Sequence, residues 1–515
     1  MSRRAGALGT ARSRRTPSTH LDQALDALCM GRLVSDSRAV RSGDTFVAYP
    51  GERRDGRHYI GEALRQGASA VVWEKRGFAW DDAWRVPNVG VTNLRQRAGE
   101  IASRAYGRPS NRLWMIGVTG TNGKTSCSHW IAQSLSRRGR KCAVIGTVGS
   151  GFPGRLEPGD NTTPDALRVH SALRDFVRRG ARACAMEVSS HGLVQHRLSG
   201  VEFDVALLTN LTRDHLDYHG TMRAYRAAKA RLFEWPTLKW AVVNLDDPFG
   251  ADLAVRLRDR PLKVLGYGFG VTGAARARLR LPRVSGSNLR LDRDGLSFDV
   301  ATPWGSATLQ SALLGRFNAA NLLGTLAVLL ASDAGLREAV RVLQRVKPVP
   351  GRTERHGGGR APLVIIDYAH TPHGLEQVLE TLRETFDLTR AGRPRRLTCV
   401  FGCGGERDAG KRPLMGAVAC RLADEVVVTS DNPRGEDPLA IIADIVRGTL
   451  SAQTIVEPDR GRAIRVAIGR AQPGDIVLVA GKGHEAYQDI AGVRHPFSDA
   501  AQVEDALRRY RGGGR

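Results

Sequence analysis

Apolar runs of five or six residues recur along the middle of this chain, at 113–118, 143–148, 183–188, 205–209 and 241–245. Mainly apolar runs of that length suit strands covered on both faces. Between most of them lie helical patterns, such as Trp130, Ile131 and Leu135. Strands alternating with helices predict a parallel sheet with helices on both sides. The run 318–330 predicts a strongly apolar helix. The Gly- and Arg-rich stretch 262–312, with short alternating runs, predicts an antiparallel appendage.

A smaller unit precedes this region. It predicts a strand at 44–48, a helix at 59–66 and a strand at 68–73, and closes on Gly107-Arg108-Pro109-Ser110, which reads as a linker. Val349-Pro350-Gly351-Arg352 marks a second boundary. Beyond it strands are expected at 363–366, 397–401, 425–429 and 475–479. Each ends in a polar loop: Asp367-Tyr368-Ala369-His370, then 402–407, 430–434 and 481–485. Ligands of open α/β sheets bind beyond the carboxyl ends of the strands, so four such loops predict one shared site. The expected organisation is a basic disordered tail at 1–20 and three α/β domains. These are a small N-terminal domain at 21–110, a central P-loop-type parallel-sheet ATPase domain at 111–346, and a Rossmann-like C-terminal domain at 347–515.

Composition alters this picture little. The 515 residues carry a formal charge of +25, which invites a nucleic-acid reading. Yet 68 arginines against nine lysines are spread along the whole chain, a bias more than a patch. Only Arg3, Arg4, Arg12, Arg14 and Arg15 form a local basic run, the pattern of a solvated tail. The bias makes each retained lysine informative, and Lys124, Lys229, Lys411 and Lys482 all fall in motifs. Seven scattered cysteines fit reduced thiols. The apolar run 322–331 is far short of the ~20 residues of a membrane span, and no signal core opens the sequence. A cytoplasmic, monomeric enzyme without nucleic-acid or membrane partners is expected.

The chemistry begins at Gly120, Thr121, Asn122, Gly123, Lys124, Thr125 and Ser126, between a predicted strand and a predicted helix. Such a turn surrounds a phosphate with backbone N–H groups and a helix N-terminus. Lys124 would reach the β- and γ-phosphates of ATP, and the Thr125 hydroxyl would hold Mg2+. Val118 stands where the usual P-loop has its first glycine, since Gly117 lies six positions before Gly123. Glu187, at a strand end, is a natural Mg2+ ligand. His215, after the next strand, suggests a second metal site. Lys229, within a helical pattern, reads on its own as a surface lysine.

Together these motifs, with Asn161-Thr162-Thr163-Pro164, Met186 through His191 and Asn210 through Asp217, resemble the Mur ligases of peptidoglycan synthesis. Asp36-Ser37-Arg38 and the C-terminal loops resemble the branch adding the third residue to the UDP-N-acetylmuramoyl peptide. The resemblance spans roughly residues 30–500 and implies roles that spacing does not reveal. The lysine matching Lys229 is carbamylated and helps bind a second Mg2+ beside the residue matching His215. Asn161, Thr162, Thr163, Ser189, Gln195 and Arg197 match contacts to UDP-MurNAc-L-Ala-D-Glu, with Ser35 and Ser37 on its uridine side. Asn318, Asp367 and His370 match nucleotide contacts, with Arg352 near the phosphates.

The loop Asp431-Asn432-Pro433-Arg434 resembles the version that takes meso-diaminopimelate rather than L-lysine. Diaminopimelate carries a second carboxylate, and arginine pairs with carboxylate bidentately. Arg434 and Arg407 can supply that pairing, while Glu485 and the Gly481 carbonyl can receive the distal ammonium. The expected reaction is ATP-dependent amide formation through an acyl phosphate, with domain closure on hinges near 107–110 or 349–352. The rivals are an L-lysine-adding Mur ligase, a folylpolyglutamate synthetase-like ligase and, from another class, a P-loop ATPase that binds nucleic acid.

Overall fold

The structure is a computed structural model. It describes residues 20–52, 54–159, 161–270, 281–386, 395–449 and 453–510. The expected basic tail lies outside the described residues but for His20. One compact unit ends at Gly107 and a second begins at Arg108.

The first unit is a four-stranded, all-parallel sheet in the order β1 (Leu33–Val34), β2 (Thr45–Ala48), β3 (Ala70–Glu74), β4 (Asn88–Val91). Phe46, Ile60 and Val71 are fully buried in its core. The helix Leu94–Ala105 follows Asn93, whose side chain makes no capping bond. The buried Glu74 carboxylate caps it instead, accepting from the Leu94 N–H at 2.7 Å, where the helix dipole favours negative charge.

The second unit holds two large sheets. The strands of the first are β5 (Trp114–Thr119), β6 (Cys142–Gly146), β7 (Gly149–Phe152), β8 (Arg155–Glu157), β9 (Ala183–Glu187), β10 (Val205–Leu208), β11 (Trp240–Asn244), β12 (Lys263–Gly268), β13 (Arg283–Leu291), β14 (Leu296–Thr302) and β15 (Gly305–Ser311). They lie in the order β15-β14-β13-β12-β11-β10-β5-β9-β6-β7-β8. The centre, from β13 to β6, is parallel and both edges are antiparallel. The stretch 262–312 is therefore no appendage. β12 pairs in parallel with β11, and β13 with β12, so the main hydrogen-bond ladder continues into the antiparallel edge. Buried Leu265, Tyr267 and Val284 tie that edge into the central core.

Helices Lys124–Arg137 and Arg316–Ala331 pack on one face, with Trp130, Ile131, Leu322 and Leu326 in a single cluster. Arg316–Ala331 is buried nearly all round, in keeping with its lack of a polar face. After β5 the chain runs to β6 on one side and later to β10 on the other, a switch point that leaves a crevice between the loops after β5 and β10.

The second sheet comprises β16 (Glu354–Gly357), β17 (Leu363–Asp367), β18 (Leu397–Phe401), β19 (Glu425–Val428), β20 (Gln453–Val456) and β21 (Ile476–Ala480), in the order β16-β17-β21-β18-β19-β20. All but β16 run parallel, so the four polar loops leave one edge. A hairpin of β22 (Tyr487–Ile490) and β23 (Val493–Pro496) follows the last of them. Among the described residues no helix is long and apolar enough to cross a membrane.

Candidate active site

A cavity of about 630 Å³ opens at the switch point, lined by the loop 121–126 together with Glu187, His215, Lys229, Asn318 and Arg352. Thr162, Ser189, Asp367 and His370 also line it. The phosphate loop is pinned from below. The Thr121 N–H donates to the Asn210 carbonyl at 2.9 Å, and the Asn122 N–H to Asn210 Oδ1 at 2.9 Å. Gly123 has φ +86, and a Cβ there would lie 2.4 Å from Asn321 Oδ1, so both conformation and space call for glycine. The helix Lys124–Arg137 starts immediately after it.

Two lysines, Lys124 half-buried and Lys229 fully buried, converge on one carbonyl. Lys124 Nζ donates to the Gly120 and Thr121 carbonyls and Lys229 Nζ to the Gly120 carbonyl, each at 2.8 Å. Burial pulls both ammonium groups below the usual lysine range, and for Lys229 the neighbouring Lys124 adds to the effect. Lys229 also stands 4.6 Å from the centre of the Tyr225 ring. It is fully buried, not the surface residue its helical pattern suggested.

Glu187 is fully buried and held on both oxygens. Oε2 accepts from the Thr125 hydroxyl at 3.0 Å and the Thr147 hydroxyl at 3.1 Å, and Oε1 from the Thr147 N–H at 2.8 Å. A Cβ at Gly146 would stand 2.1 Å from Oε1, so glycine is what lets the carboxylate lie against this turn. Arg352 Nη2 donates to Thr125 Oγ1 at 3.0 Å, and its guanidinium lies 4.2 Å from the centre of the Tyr368 ring. His215 stands beside Asp214, at 3.3 Å. Burial lowers the His215 pKa to about 3, whereas at Asp214 burial is outweighed by the neighbouring basic groups His215, His370, Lys411 and Lys124, which hold its carboxyl below the usual range.

Other expected residues serve their own scaffold. Asp367 accepts from the Thr353 and Ala369 N–H groups, both at 2.8 Å, and burial raises its pKa. Asn318 Nδ2 donates to the Leu314 carbonyl at 2.8 Å, and His370 Nδ1 meets the Tyr368 carbonyl at 2.8 Å. Thr163 Oγ1 donates to the Glu187 carbonyl at 2.9 Å. Arg197 bonds the Thr163 carbonyl at 2.7 Å and Gln195 Oε1 at 2.8 Å. Asn161 is exposed. Ser35 and Ser37 line a separate cavity of about 420 Å³ in the first unit, where Ser37 donates to Glu62 at 2.8 Å.

The C-terminal loops form their own cluster. Lys482, fully buried, donates to Asn432 Oδ1 and Glu485 Oε2, each at 3.0 Å, and Asn432 Nδ2 donates to Glu485 Oε2 at 2.8 Å. Gly481 and Asp431 are buried close together, and Gln488 donates to the Asp431 carbonyl at 3.0 Å. Pro433 leads into Arg434, a non-glycine residue at φ +52. The hairpin holds it there: Arg434 N–H donates to the Asp489 carbonyl at 2.9 Å and its carbonyl accepts from Ala491 at 2.6 Å. Its Nη1 donates to the Gly405 carbonyl at 2.6 Å, and Arg407 is exposed nearby. Left-handed backbone at a bulky residue concentrates at ligand-binding loops. This cluster meets the phosphate edge through Tyr368, whose hydroxyl donates to Glu485 at 3.4 Å, and through His484, whose Nε2 lies 3.4 Å from the Thr147 carbonyl.

Three family profiles match the chain in order: Mur ligase family, catalytic domain, at 32–106; Mur ligase middle domain, at 118–329; and Mur ligase, glutamate ligase domain, at 351–483. The chain belongs to the Mur ligase family. Among curated relatives, the UDP-N-acetylmuramoyl-L-alanyl-D-glutamate--2,6-diaminopimelate ligase of Nitrosomonas europaea is 50% identical over 481 residues, 92% of each chain. That of Chromobacterium violaceum is 52% identical over 477 residues, 92% of this chain and 94% of its own. A solved structure of a ligase of the same name is 38% identical, with a TM-score of 0.64, and covers 93% of this chain and 95% of that one.

Within this Mur ligase, the geometry brings forward three residues outside the expected site set. Thr147 holds both oxygens of Glu187, and only its place just after a predicted strand hinted at it. Asp214 was readable as an acid next to His215. Lys411, retained in an arginine-biased chain, is buried and donates to the His370 carbonyl at 2.8 Å.

Proposed function

We propose that this Mur ligase joins meso-diaminopimelate to UDP-N-acetylmuramoyl-L-alanyl-D-glutamate in an ATP-dependent step of peptidoglycan precursor synthesis. What carries the reading is a phosphate loop facing a buried carboxylate, with an arginine-bearing loop cluster beside it, on a chain half identical to ligases named for that substrate. ATP is the co-substrate of the cavity. The terminal D-glutamate carboxylate attacks its γ-phosphorus, and the bond to the β,γ-bridging oxygen breaks to give an acyl phosphate and ADP. The diaminopimelate amine attacks the activated carbonyl, loses a proton, and phosphate leaves.

Lys124 and the N–H groups of the loop stabilise negative charge on the transferring phosphoryl group, the dominant contribution in such sites. Burial strips water from Lys124 and strengthens that interaction. Thr125 and Glu187 would hold one Mg2+. Their donors are hard oxygens already 3.0 Å apart, and Mg2+ is commonly held by one or two protein carboxylates plus phosphate oxygens. Once bound, Mg2+ supplies charge neutralisation between the phosphates. Lys229 fits carbamylation, because burial beside Lys124 favours the neutral amine that reacts with CO2. The carbamate would turn an amine crowded against Lys124 into a second oxygen ligand set beside His215.

In the loop cluster, Arg434 and Arg407 face the distal carboxylate of the amino-acid substrate, and Glu485 and the Gly481 carbonyl its ammonium. The enzyme works as a monomer in the cytoplasm on small-molecule substrates, and Asn161, Thr162, Ser189 and Arg197 hold the muramoyl dipeptide. ADP release measured with diaminopimelate and with L-lysine, each with the UDP-muramoyl dipeptide, tests the reading. Turnover with diaminopimelate alone is expected. Equal turnover with L-lysine would overturn the substrate, and phosphate release without the dipeptide would overturn the ligase.

A further inference from the structure

Two of the largest fully buried side chains in the molecule, Arg460 and Lys482, are cations in the C-terminal region, outside the phosphate cavity. Lys482 joins the side chains of the two loops. Arg460 joins their backbones, from an element that carries neither loop. It opens the helix Arg460–Arg470, after β20. Its guanidinium is clasped by the equally buried Asp499, Nε to Oδ1 and Nη2 to Oδ2, both at 2.7 Å. The remaining donor capacity goes to two carbonyls: Nη2 reaches that of Ala480 at 2.9 Å and Nη1 that of Ser430 at 3.4 Å.

Those carbonyls are the roots of the two loops. Ala480 ends β21, immediately before Gly481, and Ser430 immediately precedes Asp431. β21 and β19 are not neighbours, since β18 lies between them. No direct strand-to-strand hydrogen bond therefore joins the roots, which the sheet links only through β18, and Arg460 spans them with one side chain. A planar guanidinium does this where an ammonium cannot, because its donors point in fixed directions in one plane. Stability alone does not account for the pair, since apolar residues of similar volume often replace a buried ion pair without loss.

We propose that Arg460, oriented by Asp499, is a positioning residue for the amino-acid substrate. It fixes the separation of the roots of the 431–434 and 481–485 loops, and with it the spacing between Arg434 and Glu485 that selects a substrate with a second zwitterionic centre. The inference rests on the reading that these loops take that substrate.

The test uses the full chain and two variants. The double variant Arg460→Met with Asp499→Leu removes the buried charges together. Arg460→Lys keeps a cation opposite Asp499 and loses the planar fork. Both are assayed for KM towards diaminopimelate, ATP and the UDP-muramoyl dipeptide, and for selectivity over L-lysine. The expected result is a KM for diaminopimelate raised by about tenfold or more, the scale of a lost charge-assisted hydrogen bond, with reduced selectivity and unchanged KM for the other two. Arg460→Lys should sit between the double variant and the unaltered chain. If the double variant does not fold, Arg460→Lys carries the test alone. Unchanged diaminopimelate KM and selectivity in a folded variant would overturn the inference, as would an equal rise in all three KM values. Arg434→Ala separates the two claims: if it too leaves diaminopimelate kinetics untouched, the substrate reading of the loops has failed, and this inference with it.

Discussion

The phosphate edge and the C-terminal loop cluster lie in one compact unit and treat charge in opposite ways. At the phosphate edge, Lys124 and Lys229 are held against backbone carbonyls, and desolvation drags both below their ordinary range. In the loop cluster Arg460 meets Asp499, Lys482 meets Glu485, and Arg412 meets Glu436 and Asp444, while Lys411, at the border with the phosphate edge, donates to a backbone carbonyl. Burial opposes the charge of Arg460, but Asp499 outweighs it and the pKa rises. The first arrangement is electrostatically incomplete and suits an arriving polyanion. The second is neutralised internally and works as a rigid mould. Chemistry is thus placed where charge is unbalanced, and selection where it is balanced and immobile.

The contrast breaks most easily at Lys124. Replacing it with Met should lower kcat by roughly 10²–10³, the cost of removing one preorganised electrostatic donor, with ADP release as the readout. A loss below about tenfold would mean that loop N–H groups alone carry the phosphoryl charge. Lys229→Arg should come next, falling by roughly 10²-fold in kcat, because a guanidinium stays charged and cannot be carbamylated. A carbamate signal from 13C-labelled bicarbonate should appear in the unaltered chain and vanish in the variant. On the mould side, Arg434→Ala should raise the diaminopimelate KM by about 10–100-fold, the scale of a hydrogen bond to a charged group, and leave the ATP KM unchanged.

The same contrast extends to protons. In the middle region, His129 and His170 are buried neutral, with pKa values lowered to about 4 by burial. In the C-terminal region, Glu354, with Oε1 3.2 Å from the ring Nε2, raises the pKa of His356. Unfolded histidine titrates near 6.5, so below that pH the unfolded chain gains protons that His129 and His170 refuse. Their contribution is whole above about pH 6.5 and is lost as pH falls towards 4; about 2 kcal/mol each is gone by pH 5. His356 contributes in the opposite sense, keeping its stabilisation below pH 6.5 and losing it as pH rises through its raised value. Urea unfolding at pH 7 and pH 5 should show a lower midpoint in acid, and His170→Gln should flatten that slope. A steeper slope in the variant would place the acid sensitivity elsewhere.

Much of this was legible in the sequence because it depends on local pattern. Apolar runs gave the central strands, glycine at 123 gave the turn, and four polar loops after four strands gave a shared edge. What stayed hidden depends on contacts between distant residues. Nothing near Lys229 in sequence says that its helix carries it under Gly120, 109 positions away. Thr147 looks like any threonine after a strand until β6 and β9 pair and bring it to Glu187. The stretch 262–312 misled because an antiparallel edge and a separate appendage share the same short alternation. Only the parallel register of β12 and β13 distinguishes them.

The smallest effect expected is at the most visible link between the two regions. Arg213, in the loop after β10, pairs with Asp408, in the loop after β18, at 3.1 Å. The arginine side chain is 46% exposed, so the pair is screened on that side, whereas the Asp408 side chain is only 9% exposed. Asp408 also keeps the Gly410 N–H at 3.0 Å. Arg213→Ala should therefore cost less than about 1 kcal/mol in urea unfolding, and the difference should shrink in high salt. The buried contacts of Arg352 with Thr125 and of His484 with Thr147 should hold the regions in register without it. A loss well above that figure, together with a raised KM for both ATP and diaminopimelate, would reverse the order of importance. It would mean that an exposed pair, rather than the buried hydrogen bonds at the phosphate edge, aligns the unbalanced site with the balanced one.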